Sequence, residues 1–167
     1  RCKAGYYNLY LSNKSSVHGD NKDMVLARRD FLSRDFYRQL ASAVADAVLD
    51  NTASLPIVLD AGCGEGYYTD IVERALRLRD GDSRVHAFDI SKDAVREAAK
   101  RNSDISHVVA GSYSMPIADG AVDVLINIFS PLALDETRRV LRSGGMFIMA
   151  LPDTDHLFEL KAAIYDT

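Results

Sequence analysis

The sequence has no tryptophan, only four prolines and only two cysteines in 167 residues. The cysteines, Cys2 and Cys63, have no CxxC spacing and no histidine nearby. They cannot form a disulfide framework or a complete zinc site, so a reducing, cytoplasmic setting is the simplest expectation. No apolar run reaches the length that crosses a bilayer. The stretch from Arg1 to Leu11 is mixed and tyrosine-rich, unlike a secretory leader. Neither a membrane span nor a leader is therefore expected. Excess basic charge is also lacking. The net charge of −4 excludes a global nucleic-acid footprint but leaves a local basic patch open. There is no repeat and no low-complexity tract.

What remains is ordinary globular material, 47% hydrophobic and 26% charged, at a length that suits one core. Residues 1–29 read as irregular, with a polar run from Ser12 to Asn21 rich in turn formers. From about Ser33 to Asp50, Phe36, Leu40, Val44 and Ala47/Val48 recur at helical spacing. Ile57–Leu59 reads as a buried parallel strand. A helix over Tyr68–Leu78 follows, with Ile71, Ala75 and Leu78 expected inward. Further strands are expected at Val85–Phe88, His107–Ala110, Val122–Ile128 and Met146–Leu151. Helices are expected at Lys92–Arg101, N-capped by Ser91, and at Asp135–Leu141, stopped by Gly144-Gly145. A last helix after Pro152 has Leu157, Leu160 and Ile164 inward. Strands alternating with helices imply a doubly wound α/β sheet. The boundaries expected are residues 1–32 for the irregular segment and 33–167 for the α/β domain. The absence of a closing strand pair suggests a fragment.

The most informative stretch is Asp60-Ala61-Gly62-Cys63-Gly64-Glu65-Gly66-Tyr67-Tyr68-Thr69 between a strand and a helix. Glycines in such a turn let a nucleotide-type ligand lie against backbone. The dinucleotide fingerprint G-x-G-x-x-G fails, because its third glycine falls on Tyr67. Glycines at 62, 64 and 66 behind an acid resemble motif I of the class I methyltransferases, which use S-adenosylmethionine. Asp89 ends the second strand, 23 residues beyond Gly66. A carboxylate there can accept both hydroxyls of a ribose; an acid that caps the turn before Ser91 is the competing reading. Ile90 and Ser112 follow the second and third strands and border the same ligand. Asn127 to Pro131 ends the fourth strand, where ligands of open α/β sheets bind. The Arg142-Ser143-Gly144-Gly145 turn is structural in such folds.

A closer resemblance rests on several separate blocks. These are Gly5-Tyr6-Tyr7-Asn8-Leu9, Gly19-Asp20, Met24-Val25, Ala27-Arg28-Arg29-x-Phe31-Leu32 and the double tyrosine after the glycine turn. Phe129-Ser130-Pro131 and Pro152-x-x-x-His156-Leu157-x-Glu159-Leu160-Lys161 complete the set. Over nearly the whole chain they resemble the bacterial large-subunit rRNA guanine-N(1)-methyltransferases, the RlmA family. The resemblance implies a Rossmann-like methyltransferase sheet lacking its C-terminal strands. It implies methyl transfer from S-adenosylmethionine to N-1 of a guanine in a ribosomal RNA hairpin, with an influence on macrolide-type resistance. It also implies a zinc module ahead of residue 1, no metal site within this chain, and a homodimer as one possible assembly. The cofactor candidates it implies are Tyr37, Gly62, Gly64, Tyr68, Thr69, Asp89 and His156, joined by Asp60, Glu65, Gly66, Ile90 and Ser112 around the turn. Tyr37 also reads as a half-buried helix aromatic, and His156 as a cap. A small-molecule methyltransferase or a non-catalytic binding module of the same fold are the rival readings.

The sequence names no clear base for the guanine N-1 proton. Asn127 and Ser130 could orient the acceptor edge, and Asp20 could approach as a carboxylate. Phe129 either stacks on an extruded base or packs the strand end. Lys14, Lys22, Arg28, Arg29 and Arg34, interleaved with Tyr6, Tyr7 and Tyr10, suit phosphate contact and base stacking; ordinary ion pairs are the alternative.

Overall fold

A computed structural model describes residues 5–10 and 19–164, without the side chains of Leu160 and Lys161. Cys2, Lys14 and the polar run from Ser12 through residue 18 lie outside the described residues. The elements run β1 (Tyr7–Asn8), α1 (Lys22–Leu32), α2 (Arg38–Asn51), β2 (Ile57–Ala61), α3 (Tyr67–Asp80) and β3 (Arg84–Asp89). Then come α4 (Lys92–Arg101), β4 (Ser106–Val109), β5 (Val122–Ile128), α5 (Leu134–Val140), β6 (Leu141–Ala150) and α6 (Phe158–Ile164).

The six strands form one parallel sheet in the order β1-β4-β3-β2-β5-β6. The chain runs outward from β2 through β3 and β4, then crosses back to β5 and β6. The carboxyl ends of β2 and β5 therefore flank the switch point where such sheets bind ligands. Successive side chains of each strand serve opposite faces. Val58, Val85, Val124 and Ile126 meet Val44, Val48, Val72 and Leu76 of α2 and α3 on one face. Leu59, Ala61, Phe88 and Leu125 meet Met115 and Val140 on the other. Burial of each Val, Leu, Ile, Phe or Met side chain among these contributes roughly 1.5–3 kcal/mol of transfer free energy.

The strand and helix order matches the expectation, with three physical corrections. Segment 1–32, expected to be irregular, contributes both β1 and α1. Two residues of β1 suffice to add an edge strand, because Tyr7 and Asn8 pair with Val108 and Val109. Helix α1 starts at Asn21, whose side chain accepts the Met24 N–H, and it buries only Val25 and Leu32. Such a polar helix leaves little apolar period to read.

Leu78, expected inward, is 90% exposed. The face α3 buries carries Thr69, Asp70, Val72, Glu73 and Leu76. Glu73 is tolerated there because Arg77, Ser83 and Asn102 donate to its carboxylate. Leu157 and Ile164 are exposed as well.

Gly144-Gly145 does not stop α5. That helix ends at Val140, and residues 142–145 form an irregularity within β6, between the pairs Val122–Leu141 and Val124–Met146. A Cβ on Gly145 would stand 2.9 Å from the Arg142 carbonyl, so the bulge needs glycine.

Candidate functional site

The glycine turn hangs from the end of β3. Gly62 and Cys63 both donate their N–H to the Phe88 carbonyl, at 2.9 and 3.0 Å. Gly62, Gly64 and Gly66 all have positive φ, a region that costs other residues free energy. Their surroundings then separate their roles. A Cβ on Gly62 would lie 1.9 Å from Ser130 Oγ, so this glycine lets the β5–α5 loop touch the turn. A Cβ on Gly64 would meet nothing within 4 Å, because its backbone faces an open cleft. Gly66 caps α3, and a Cβ there would stand 3.0 Å from Ala98 Cβ of α4.

Two carboxylates converge beneath the turn. Asp60, one residue before the end of β2, is 2% exposed and accepts from Thr69 Oγ1 at 2.6 Å. Burial pushes its pKa up to about 7; the Thr69 hydrogen bond pulls it back and the nearby Asp89 adds to the rise. Asp89 accepts the Gly64 N–H at 3.0 Å on one oxygen and the Ser91 N–H at 2.8 Å on the other. Desolvation raises its pKa and these two amides oppose the rise. A carboxylate has about four acceptor sites, so Asp89 caps its own turn and still has capacity toward the cleft it lines. Glu65 is buried on Arg101, whose Nε donates at 3.0 Å, and its Oε1 has no hydrogen-bond partner.

The N-terminal segment closes this end. A Cβ on Gly19 would lie 2.8–2.9 Å from Ile90 and Ser91, and Ser91 Oγ donates to the Asp20 carbonyl at 2.6 Å. The Asp20 carboxylate pairs with Arg28, and Arg29 fastens α1 to Glu97 of α4 at 2.6 Å.

The opposite end is built from rings. Tyr37, at the start of α2, meets Phe129 edge-on at 5.9 Å between centroids, and Phe129 faces His156 at 6.2 Å. Phe129 has φ +53°, an uncommon conformation for a bulky residue. Burial, with Tyr37 and Tyr67 close by, raises the Tyr68 pKa, so its phenol stays neutral and able to donate. The whole cleft measures about 1150 Å³, above the usual 300–1,000 Å³ of a single-ligand site. It has room for a nucleoside-sized cofactor and an acceptor together.

A profile described as a methyltransferase domain matches residues 58–145. This chain belongs to the methyltransferase-domain family. It is 33% identical over 165 residues to the 23S rRNA (guanine(748)-N(1))-methyltransferase of Streptomyces fradiae, covering 97% of this chain and 57% of that relative's length. A chain from the complex of the Haloferax volcanii Trm112 methyltransferase activator superposes with a TM-score of 0.69. It is 25% identical and covers 89% of this chain and 69% of its own length. The geranyl diphosphate C-methyltransferase of Streptomyces coelicolor A3(2), solved with S-adenosyl-L-homocysteine, gives a TM-score of 0.54 at 21% identity. That match covers 89% of this chain and 57% of the other, and shows the fold alone. The architecture is the Rossmann-like sheet of the S-adenosylmethionine methyltransferases.

In this methyltransferase domain Tyr37, Asp60, Gly62, Gly64, Glu65, Tyr68, Asp89, Ile90, Ser112 and His156 all line one cleft. Thr69 and Gly66, grouped with them from the sequence, do not. Thr69 is fully buried and holds Asp60, and Gly66 serves the α3–α4 contact. Among the candidates for the acceptor, Ser130 lines the cleft but Asn127 does not. Asn127 is 2% exposed, and its amide donates to the Ala61 and Pro131 carbonyls at 3.3 and 3.4 Å, stitching the two loops together. Asp20 stands beside Asp89 with its charge engaged by Arg28, which does not suit a base for the acceptor. The basic N-terminal segment is largely self-neutralised, since Arg28, Arg29 and Arg34 each pair with an acid. Met24 and Phe31 were not foreseen as site residues. The spacing of Met24, Arg28 and Phe31, one helical face that all lines the cleft, was the signal available. Among the described residues no group of three or more His, Cys, Asp or Glu could hold a metal ion.

Proposed function

We propose that this domain is the catalytic core of a methyltransferase that moves the methyl of S-adenosylmethionine to N-1 of a guanine in large-subunit ribosomal RNA. The observation that carries the reading is the single two-ended cleft. A hydroxyl-accepting carboxylate lies at one end and a ring-lined acceptor end lies at the other, on a chain 33% identical to a 23S rRNA guanine-N(1)-methyltransferase. The residues fit the donor. The open face of Gly64 admits a ligand against backbone, Asp89 has acceptor sites for ribose hydroxyls, and Asp60 and Glu65 place carboxyl groups along the same cleft.

When bound, S-adenosylmethionine supplies an electrophilic methyl group on a sulfonium centre. The chain's contribution is position. Asp89, Ile90 and Ser112 fix the adenosine end, and Gly62 lets Ser130 approach the turn. Tyr37, Phe129 and His156 bound the space where a planar acceptor stands. Holding two reactants at near-attack distance can contribute roughly 7–11 kcal/mol to a bimolecular transfer. Because N-1 carries its proton at neutral pH, the step also requires that proton to leave. Asp20 is paired with Arg28, and the proton passes to solvent at the exposed Phe129 end of the cleft.

The test uses full-length protein, labelled S-adenosylmethionine and ribosomal RNA from a strain lacking the enzyme. After digestion, the label should appear in 1-methylguanosine on nucleoside mass spectrometry. Label in another nucleoside, or in none, contradicts the reading.

A further inference from the structure

Five rings run without a break from the cleft onto the open surface. His156 faces Phe129 at 6.2 Å, Phe129 meets Tyr37 at 5.9 Å, Tyr37 meets Phe31 at 5.9 Å, and Phe31 meets Phe36 at 5.0 Å. They come from three separate parts of the chain: the end of α1 with the turn into α2, the β5–α5 loop, and the segment after β6. The first four line the cleft and Phe36 lies just beyond it. The rings are not hidden by their mutual contact, since Phe129, Phe31 and Phe36 are 43%, 46% and 65% exposed. A cluster formed only to pack would bury them.

A second observation falls on the same residues. Among the described residues, four that are not glycine have positive φ: Asp35, Leu55, Phe129 and Leu157. Asp35 immediately precedes Phe36, Phe129 is itself in the row, and Leu157 immediately follows His156. Backbone strain of this kind gathers at ligand clamps and persists only where the surroundings enforce it. Here it falls on Phe129 itself and on the chain neighbours of Phe36 and His156.

We propose that this row is a stacking rail for the unpaired nucleotides beside the methylated base. The inference rests on the RNA reading above and names the surface that reading needs. The rail is continuous with the cleft, so a base extruded toward Phe129 places its chain neighbours over Phe31 and Phe36. Flat π faces accept any base, which suits single-stranded RNA. Arg34 lies between Phe31 and Phe36 in the chain, its backbone N–H on the Phe31 carbonyl, and its side chain is in an exposed pair with Asp30, 63% and 69% open. Such a pair has little net stability of its own and can be exchanged for a phosphate.

The experiment measures binding of full-length protein to the ribosomal RNA hairpin that carries the methylated guanine. The hairpin has 2-aminopurine at the nucleotide next to the target, and cofactor affinity is followed separately by calorimetry. Phe36→Ala should weaken RNA binding about 5- to 100-fold and reduce quenching of the 2-aminopurine, while cofactor affinity stays within twofold. Phe36→Trp should restore both signals. Phe36→Leu, with similar bulk and no π face, should behave like alanine. Parent affinity in Phe36→Ala, or full rescue by Phe36→Leu, overturns the rail and leaves the methyltransferase reading standing. Failure of the parent protein to bind the hairpin overturns both.

Discussion

The two ends of the cleft are made in different ways. At the Asp89 end nearly every polar group is tied. Gly64 and Ser91 amides hold Asp89, Thr69 holds Asp60, and Ser91 holds the Asp20 carbonyl. Backbone geometry there is strained only at glycines. At the Phe129 end the contacts are ring against ring, and the strained backbone sits on Asp35, Phe129 and Leu157. The first arrangement is closely hydrogen-bonded, which suits the small donor of the proposed function. The second presents flat, partly open surface to something larger. Under the proposed function, one domain would meet a constant donor with hydrogen bonds at one end and a bulky acceptor with aromatic area at the other.

The largest effect should come from Gly62, the point where the two ends touch. Gly62→Ala combines positive φ with a Cβ 1.9 Å from Ser130 Oγ. It should destabilise the domain by about 2–4 kcal/mol and weaken cofactor binding at least about 100-fold, read by calorimetry. Next comes Asp89→Ala, which removes the acceptor of two backbone amides and of the expected ribose hydroxyls. Cofactor affinity should fall about 10- to 100-fold. Unchanged affinity would break the contrast, because the tied end would then not be the donor's.

Thr69→Val should cost about 1–3 kcal/mol by leaving the buried Asp60 carboxylate without its donor, while Thr69→Ser keeps it. The pH dependence has a definite sign. The Asp60 pKa is raised from 3.8 to about 7 in the folded chain. The folded state therefore holds a proton that the unfolded state releases, and stability from this group falls as pH rises from about 4 through 7. Thermal melts at pH 5 and pH 8 should show that loss in the parent. It should be absent in Asp60→Asn and extended to higher pH in Thr69→Val. A parent whose slope matches Asp60→Asn refutes the assignment.

The smallest effect probes the ring end. Phe129→Gly and Phe129→Ala lose the same ring, but only glycine is at ease at φ +53°. The glycine variant should be more stable than the alanine variant by about 1 kcal/mol. Both should leave cofactor affinity within twofold and lower methyl transfer. Equal stability of the two would remove the strain argument.

The same contrast explains what the sequence made legible. The donor end is written in one stretch, Asp60 to Thr69, plus Asp89, because a strand, a tight turn and a helix start are local structures. Even there, reading alone could not tell the glycine that faces the cleft, Gly64, from the one that faces a helix, Gly66. Nor could it tell that Thr69 serves Asp60. The acceptor end is dispersed over Phe31, Tyr37, Phe129 and His156; the strand-end position pointed to Phe129, and only the family blocks pointed to Tyr37 and His156. Helix α1 was missed because its buried stripe is two residues wide. The buried face of α3 was misjudged because hydrogen bonds, not apolarity, make Glu73 acceptable inside, while Leu78 is left in solvent. Arg28 and Arg29 pair with Asp20 and Glu97, contacts that a count of basic residues does not reveal, whereas the Arg34–Asp30 pair is open to solvent.

The most direct measurement is primer extension by reverse transcriptase across large-subunit ribosomal RNA from cells with and without the gene. A methyl on guanine N-1 blocks the Watson–Crick edge. One strong stop is expected, at the nucleotide before a guanine in a hairpin, present only with the gene and lost in Gly62→Ala. Identical extension in the two strains would contradict it.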